Sequence, residues 1–184
     1  MGATGLCLSS LLRVATLILS LWLVPTLALA DPKEKAEEEE SPDEKFANSF
    51  LGKVYQSEIE IDGWTDLGGG LVIPPVYVRH YQREDGTYLV LTSREVAKAT
   101  RTEPASYVVA DALIVPKPKG GTEFSIACVQ GKDETLRFMG EAKGSATKEW
   151  WTDVRRAWEI ALDTGEIASV KPKGIRCTNV SWGQ

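Results

Sequence analysis

The sequence predicts a mainly β fold: a single antiparallel barrel or sandwich of about nine strands with a short N-terminal helix. Three observations predict it. From Val54 onward, short runs alternate apolar and polar residues, as in KVYQSEIEID and TLRFMGEA. Turn chemistry separates these runs, at Asp85-Gly86, PKPKGG, GKDE, Asp163-Thr164-Gly165 and KPKG. Only one stretch carries a complete helix start, Ser41-Pro42-Asp43-Glu44, where serine caps, proline occupies the first helical position and glutamate the third.

Residues 1–30 read as an export signal. A lone Arg13 precedes the apolar run VATLILSLWLVPTLALA, which ends at the small-residue site Ala28-Leu29-Ala30. Pro25 interrupts the run, which argues against a membrane anchor. Cleavage after Ala30 predicts a periplasmic or secreted protein with no membrane span. Residues 31–45 form an acidic linker with eight acids and three lysines, too polar to offset its ordering entropy. Residues 46–184 then make one β-rich domain. Without Arg13 the chain holds 26 acidic and 20 basic residues, a net charge of −6, and the linker carries most of it. That balance excludes nucleic acid as a partner. Cys128 and Cys177 survive cleavage, and export predicts a disulfide between them.

Within the domain, Phe46 and Phe50 share a helix face that stops at Gly52. Val54 to Ile61 reads as a strand, and Gly63 to Gly70 as turn-rich chain. Asp85-Gly86 predicts a two-residue type I′ hairpin. That register places Tyr77, Arg79, Tyr81, Arg83 and Tyr88 on one face, with Arg83 opposite Tyr88 and Tyr81 opposite Val90. Val76, Val78, Leu89, Leu91 and the single histidine, His80, share the other face, which makes His80 a structural residue at the core margin. The Tyr/Arg face is a secondary candidate for binding an anion, a sugar or a peptide. Thr92 to Thr100 has capping-box spacing and predicts a helical excursion. Strands follow at Ser106 to Val115, Glu123 to Val129 and Thr135 to Ala142. Thr147 to Arg155 reads as a helical turn or loop, and Ala157 to Leu162 with EIASV as a hairpin. The final strand is Ile175 to Trp182. Asn179-Val180-Ser181 matches a glycosylation sequon, meaningful only in a eukaryotic secretory pathway and read here as a chance match.

No nucleophile elbow, zinc-protease motif, phosphate loop or calcium loop is present, so the sequence points to no cofactor and no metal. If consecutive strands run up and down, the bends at Asp85-Gly86, Pro116 to Gly121, Gly144 to Arg156 and Lys171 to Gly174 emerge at one end. That end gathers Lys117, Lys119, Lys171, Lys173 and Arg155 beside Trp150 and Trp151, the composition of an interaction hot spot. The expectation is therefore a non-enzymatic exported domain binding a protein or polysaccharide there. Its rivals are a calyx-like carrier of a small apolar ligand and a hydrolase built on two carboxylates.

Overall fold

The serine cap forms as its sequence dictates in the computed structural model, which describes residues 40–179 and Trp182. The Glu44 amide donates to the Ser41 hydroxyl at 3.3 Å, and the Ser41 amide donates to the Glu44 carboxylate at 2.8 Å. Helix α1 (Pro42–Asn48) follows, at the start read from Ser41-Pro42-Asp43-Glu44. The expected signal peptide and residues 31–39 of the acidic arm lie outside the described residues.

The rest is mainly β. The strands are β1 (Val54–Tyr55), β2 (Trp64–Ile73), β3 (Val76–Arg83), β4 (Tyr88–Ala97), β5 (Ser106–Val115), β6 (Thr122–Gln130), β7 (Asp133–Lys143), β8 (Trp150–Trp151), β9 (Val154–Ile160), β10 (Ile167–Val170) and β11 (Ile175–Thr178). They pair antiparallel into two sheets, ordered β1-β5-β4-β3-β2 and β10-β9-β7-β6-β11-β8. Each ladder has two edges, and no closed barrel forms among the described residues. No helix among them is long and apolar enough to cross a membrane.

The central strands of the first sheet are covered on both faces, because they carry apolar residues at odd and even positions alike, while β2 at its edge stays largely exposed. Tyr81, Leu89, Leu91 and Val109 pack against Ala47 of α1, Phe50 in the turn after it and Ile61 of the segment 56–63 that crosses the outer face from β1 to β2. That crossing corrects the expected strand to Ile61: only Val54 and Tyr55 pair, while Ile59 and Ile61 turn inward. On the other face, Val76, Val78, Val90 and Val115 meet Met139, Trp158 and Ile160 of the second sheet. The expected helix at Thr92 to Thr100 does not form. β4 instead runs to Ala97, held against β5 by pairs as far as Ala97 with Ser106. Likewise β2 starts at Trp64 within the stretch read as turns, with its register broken between Asp66 and Gly69.

The β3–β4 hairpin corrects the predicted register. The Arg83 amide donates to the Thr87 carbonyl at 2.9 Å and the Gly86 amide to the Arg83 carbonyl at 2.8 Å, so Glu84, Asp85 and Gly86 make a three-residue turn. The Asp85 carboxylate selects it by accepting the Thr87 amide at 2.8 Å, and Gly86 takes the left-handed position at φ 87°. Tyr81 therefore faces Leu89, and His80 faces Val90. A one-residue slip moves a whole strand to the opposite face. Leu89 and Leu91 join Tyr81 in the core, and Tyr88 joins His80 on the inner face.

In the second sheet, Cys128 of β6 lies directly opposite Cys177 of β11, and the two are disulfide-bonded across the ladder. Both are fully buried with Phe138, Ala157 and Ile175. Gly140 of β7 lies beneath them: a Cβ there would sit 2.8 Å from the Cys177 sulfur and 3.4 Å from that of Cys128. The expected helical turn at Thr147 to Arg155 is instead β8 followed by the start of β9. Two polar contacts tie the sheets together. The Thr92 hydroxyl donates to the Gly165 carbonyl at 2.5 Å, and the Ile167 amide donates to the Asp111 carboxylate at 2.7 Å.

Candidate functional site

Where the two sheets diverge, a cleft of about 730 Å³ opens. The first sheet contributes Leu67, His80 and Tyr88. The second contributes Glu123, Phe124 and Trp151 together with the 144–146 loop. Tyr88 and Phe124 meet with ring centroids 5.0 Å apart, and Phe124 stands edge-on to the buried Trp158 at 6.1 Å, so the inner wall is anchored in the core. Trp151 is half-buried on the opposite side, its indole N–H donating to the Ser145 carbonyl at 3.1 Å. The same loop is held by Asn179, whose side-chain amide donates to the carbonyls of Ser145 and Lys148, each at 2.9 Å.

His80 brings an imidazole to the cleft wall. Its Nδ1 lies 2.9 Å from the Gly68 carbonyl, which only accepts, so Nδ1 carries the proton. Burial lowers the imidazole pKa, opposed in part by Gly68 and Asp66, and the ring is neutral with Nε2 as an acceptor. The sequence placed His80 with the aliphatic residues of its strand. That face is correct, but its position at the rim of the inter-sheet space was beyond sequence reasoning.

The cationic residues expected around Trp150 and Trp151 are divided. The alkyl chain of Lys117 lies where a Cβ on Gly86 would meet it at 3.0 Å, and the Lys119 carbonyl accepts the Thr122 hydroxyl at 2.7 Å. Both therefore sit at the cleft end of β6. Arg155 is at that end too, paired with Asp153 at 2.7 Å. Lys173 is at the far end, where its carbonyl accepts the Gln130 side-chain amide at 3.1 Å, whereas Lys171 follows Val170, which pairs with Ala157 and so lies level with Gly140 and Ser125, nearer the cleft end. The nine residues of β6 separate these ends by roughly 25 Å. The up-and-down assumption fails at residues 171–174, because they cross from one edge strand, β10, to β11 beside β6 and do not close a hairpin. Trp150 faces away from Trp151, with the Arg176 guanidinium 4.5 Å from its ring centre.

The secondary face is likewise redistributed. Tyr77 and Arg79 line the outer face of the first sheet, Tyr81 is core, and Tyr88 belongs to the cleft. Arg83 is bound to Asp43 at 3.0 Å and Asp85 at 2.8 Å, over the Trp64 ring at 5.2 Å, and so clamps α1 to the hairpin. Sequence reasoning missed Phe124, Glu123, Tyr55 and Tyr107. It also missed Gly69, whose local signal was the glycine triplet: a Cβ there would lie 2.0 Å from the Val78 carbonyl oxygen.

Among the described residues no group of three or more His, Cys, Asp or Glu side chains is arranged to hold a metal ion. Glu141, the most buried carboxylate among the described residues, accepts from Thr122 and Arg156, each at 2.7 Å. These bonds outweigh burial and hold its carboxyl below the usual range. No known protein family, curated protein or solved structure matches the chain.

Proposed function

We propose that the chain is an exported, non-catalytic binding domain that takes a group from a protein or polysaccharide partner into the cleft between its sheets. The observation that carries this reading is the cleft itself, where aromatic walls of Tyr88, Phe124 and Trp151 flank a neutral imidazole acceptor at His80. Such a wall offers stacking area, and a few fixed polar groups orient what stacks there. Lys117, Lys119 and Arg155 at the same end add a cationic rim. Two features support binding over hydrolysis. Glu141, the carboxyl with the most burial, is depressed when a general acid needs elevation, and Asp111 accepts backbone amides from Ala112 and Ile167. The carrier alternative draws less support, since Val76, Val90, Val115, Met139 and Ile160 fill the space between the sheets at 0% exposure.

The test is an array of glycans and peptides probed with the full chain and with Trp151→Ala and Phe124→Ala, folding being checked by circular dichroism. Saturable binding of one class, weakened at least about tenfold in both variants, supports the reading. Binding that both folded variants retain unchanged refutes the cleft as the site.

A further inference from the structure

The outer face of the first sheet carries a second feature, independent of the cleft. Two adjoining hollows flank the segment 56–63, with Glu58 lining both. The larger, about 510 Å³, is lined by Glu58, Glu60, Asp62, Asp66, Trp64 and Tyr81. The other, about 430 Å³, presents Tyr55, Tyr77 and Tyr107 beside Gly68–Gly70. Arg79 stands between them, 2.7 Å from both Glu58 and Asp66.

We propose that this trench binds an extended, lysine- or arginine-bearing segment of a partner protein, its cationic side chain in the acidic hollow and its adjoining apolar residues against the tyrosines. Arg79 neutralises one charge of four carboxylates, and Glu60 and Asp62 make no ion pair among the described residues, so the hollow is electronegative. Its lining includes an unused hydrogen-bonding group. Tyr81 is 1% exposed and its buried hydroxyl has no partner, a site for an ammonium or guanidinium N–H. The tyrosines form a row, Tyr55 on Tyr107 at 5.5 Å and Tyr107 edge-on to Tyr77 at 4.9 Å. A row of roughly 10 Å matches about three residues of polyproline-type chain. Gly70 adds no side chain to block the approach, since a Cβ there would meet nothing within 4 Å. A saccharide is disfavoured, because the rings cover one another and their hydroxyls are engaged, Tyr55 with Ser93 at 2.8 Å and Tyr77 with Glu95 at 3.2 Å.

The experiment is fluorescence anisotropy of a labelled peptide alternating proline and lysine, titrated with the full chain. A proline–glutamate peptide, spermidine and neutral oligosaccharides serve as competitors. The expected result is saturable binding that weakens with salt and resists the competitors. It falls about fivefold in Glu60→Gln/Asp62→Asn and about tenfold in Tyr77→Ala. Tyr81→Phe is the sharpest variant: it removes an unpartnered buried hydroxyl, so the fold is no less stable while the peptide binds more weakly. Trp151→Ala leaves this binding unchanged, which separates it from the cleft. No saturable binding, or full binding by Tyr81→Phe and Glu60→Gln/Asp62→Asn together, overturns the proposal. Equal competition by spermidine reassigns the hollow to free polyamines, competition by an oligosaccharide reassigns the trench to sugars, and concentration-dependent self-association that excludes the peptide reassigns it to a second copy.

Discussion

Gly140→Ala tests the second sheet at its tightest point. Its Cβ would sit 2.8 Å from the Cys177 sulfur, 3.2 Å from a Val154 methyl and 3.4 Å from the Cys128 sulfur. The backbone has little freedom to retreat, being paired with Ser125 on one side and Ala157 on the other. Overpacking of this kind costs about 1–3 kcal/mol, and a value near 2 suits a close contact with an immobile sulfur. An unfolding entropy of about 2.1 cal/mol/K per residue over roughly 150 residues converts about 2 kcal/mol into a Tm fall of about 6 °C. In a Cys128→Ala/Cys177→Ala background the sulfurs are gone. There the substitution gains the usual advantage of about 0.4–1 kcal/mol from restricting the unfolded chain, so its net effect is neutral or favourable. Urea titration of the four proteins of this cycle gives a coupling energy of about 2 kcal/mol. An equal loss in both backgrounds would refute the argument that the disulfide forbids a side chain here.

The disulfide itself closes a span of 49 residues, and the chain-entropy argument assigns it about 4 kcal/mol. Urea unfolding of Cys128→Ala/Cys177→Ala checks this, and a loss under about 1 kcal/mol contradicts it. At the hairpin, the Arg83 guanidinium and then the Thr87 amide hold the Asp85 carboxyl down to about 2. A carboxyl depressed on folding stabilises the protein above its unfolded value of about 3.9 and loses that contribution as pH falls through the folded one. The stability difference between the native chain and Asp85→Asn is therefore constant above about pH 5 and shrinks between roughly pH 4 and 2; a difference that stays flat across that range rules the linkage out.

Local chemistry was readable from residues. Ser41 and Glu44 cap α1 because both bonds lie within one turn of chain, and the disulfide expected between Cys128 and Cys177 forms where β6 and β11 set the two residues directly opposite each other. The hairpin was readable in place but not in register, since the Asp85 side chain competes for the Thr87 amide and no backbone rule ranks that bond against a type I′ turn. The gathering of cations failed at one connection, where residues 171–174 leave the sheet edge to reach β11. The cleft and the trench were out of reach for a related reason. Each joins side chains from strands whose adjacency depends on pairing order, as with His80 beside Trp151 or Tyr55 beside Tyr77.

Asn179 carries a practical consequence for anyone producing this protein. It is 4% exposed, and its side-chain nitrogen already donates both protons to the 145–148 backbone. Oligosaccharyl transfer would take one of those protons and place a bulky group where the loop must close. A eukaryotic secretion host that modifies this tripeptide before the chain has folded would yield material unable to seat its last strand against that loop. A bacterial host, or a Ser181→Ala version made in yeast, avoids the lesion while keeping the amide and its two bonds.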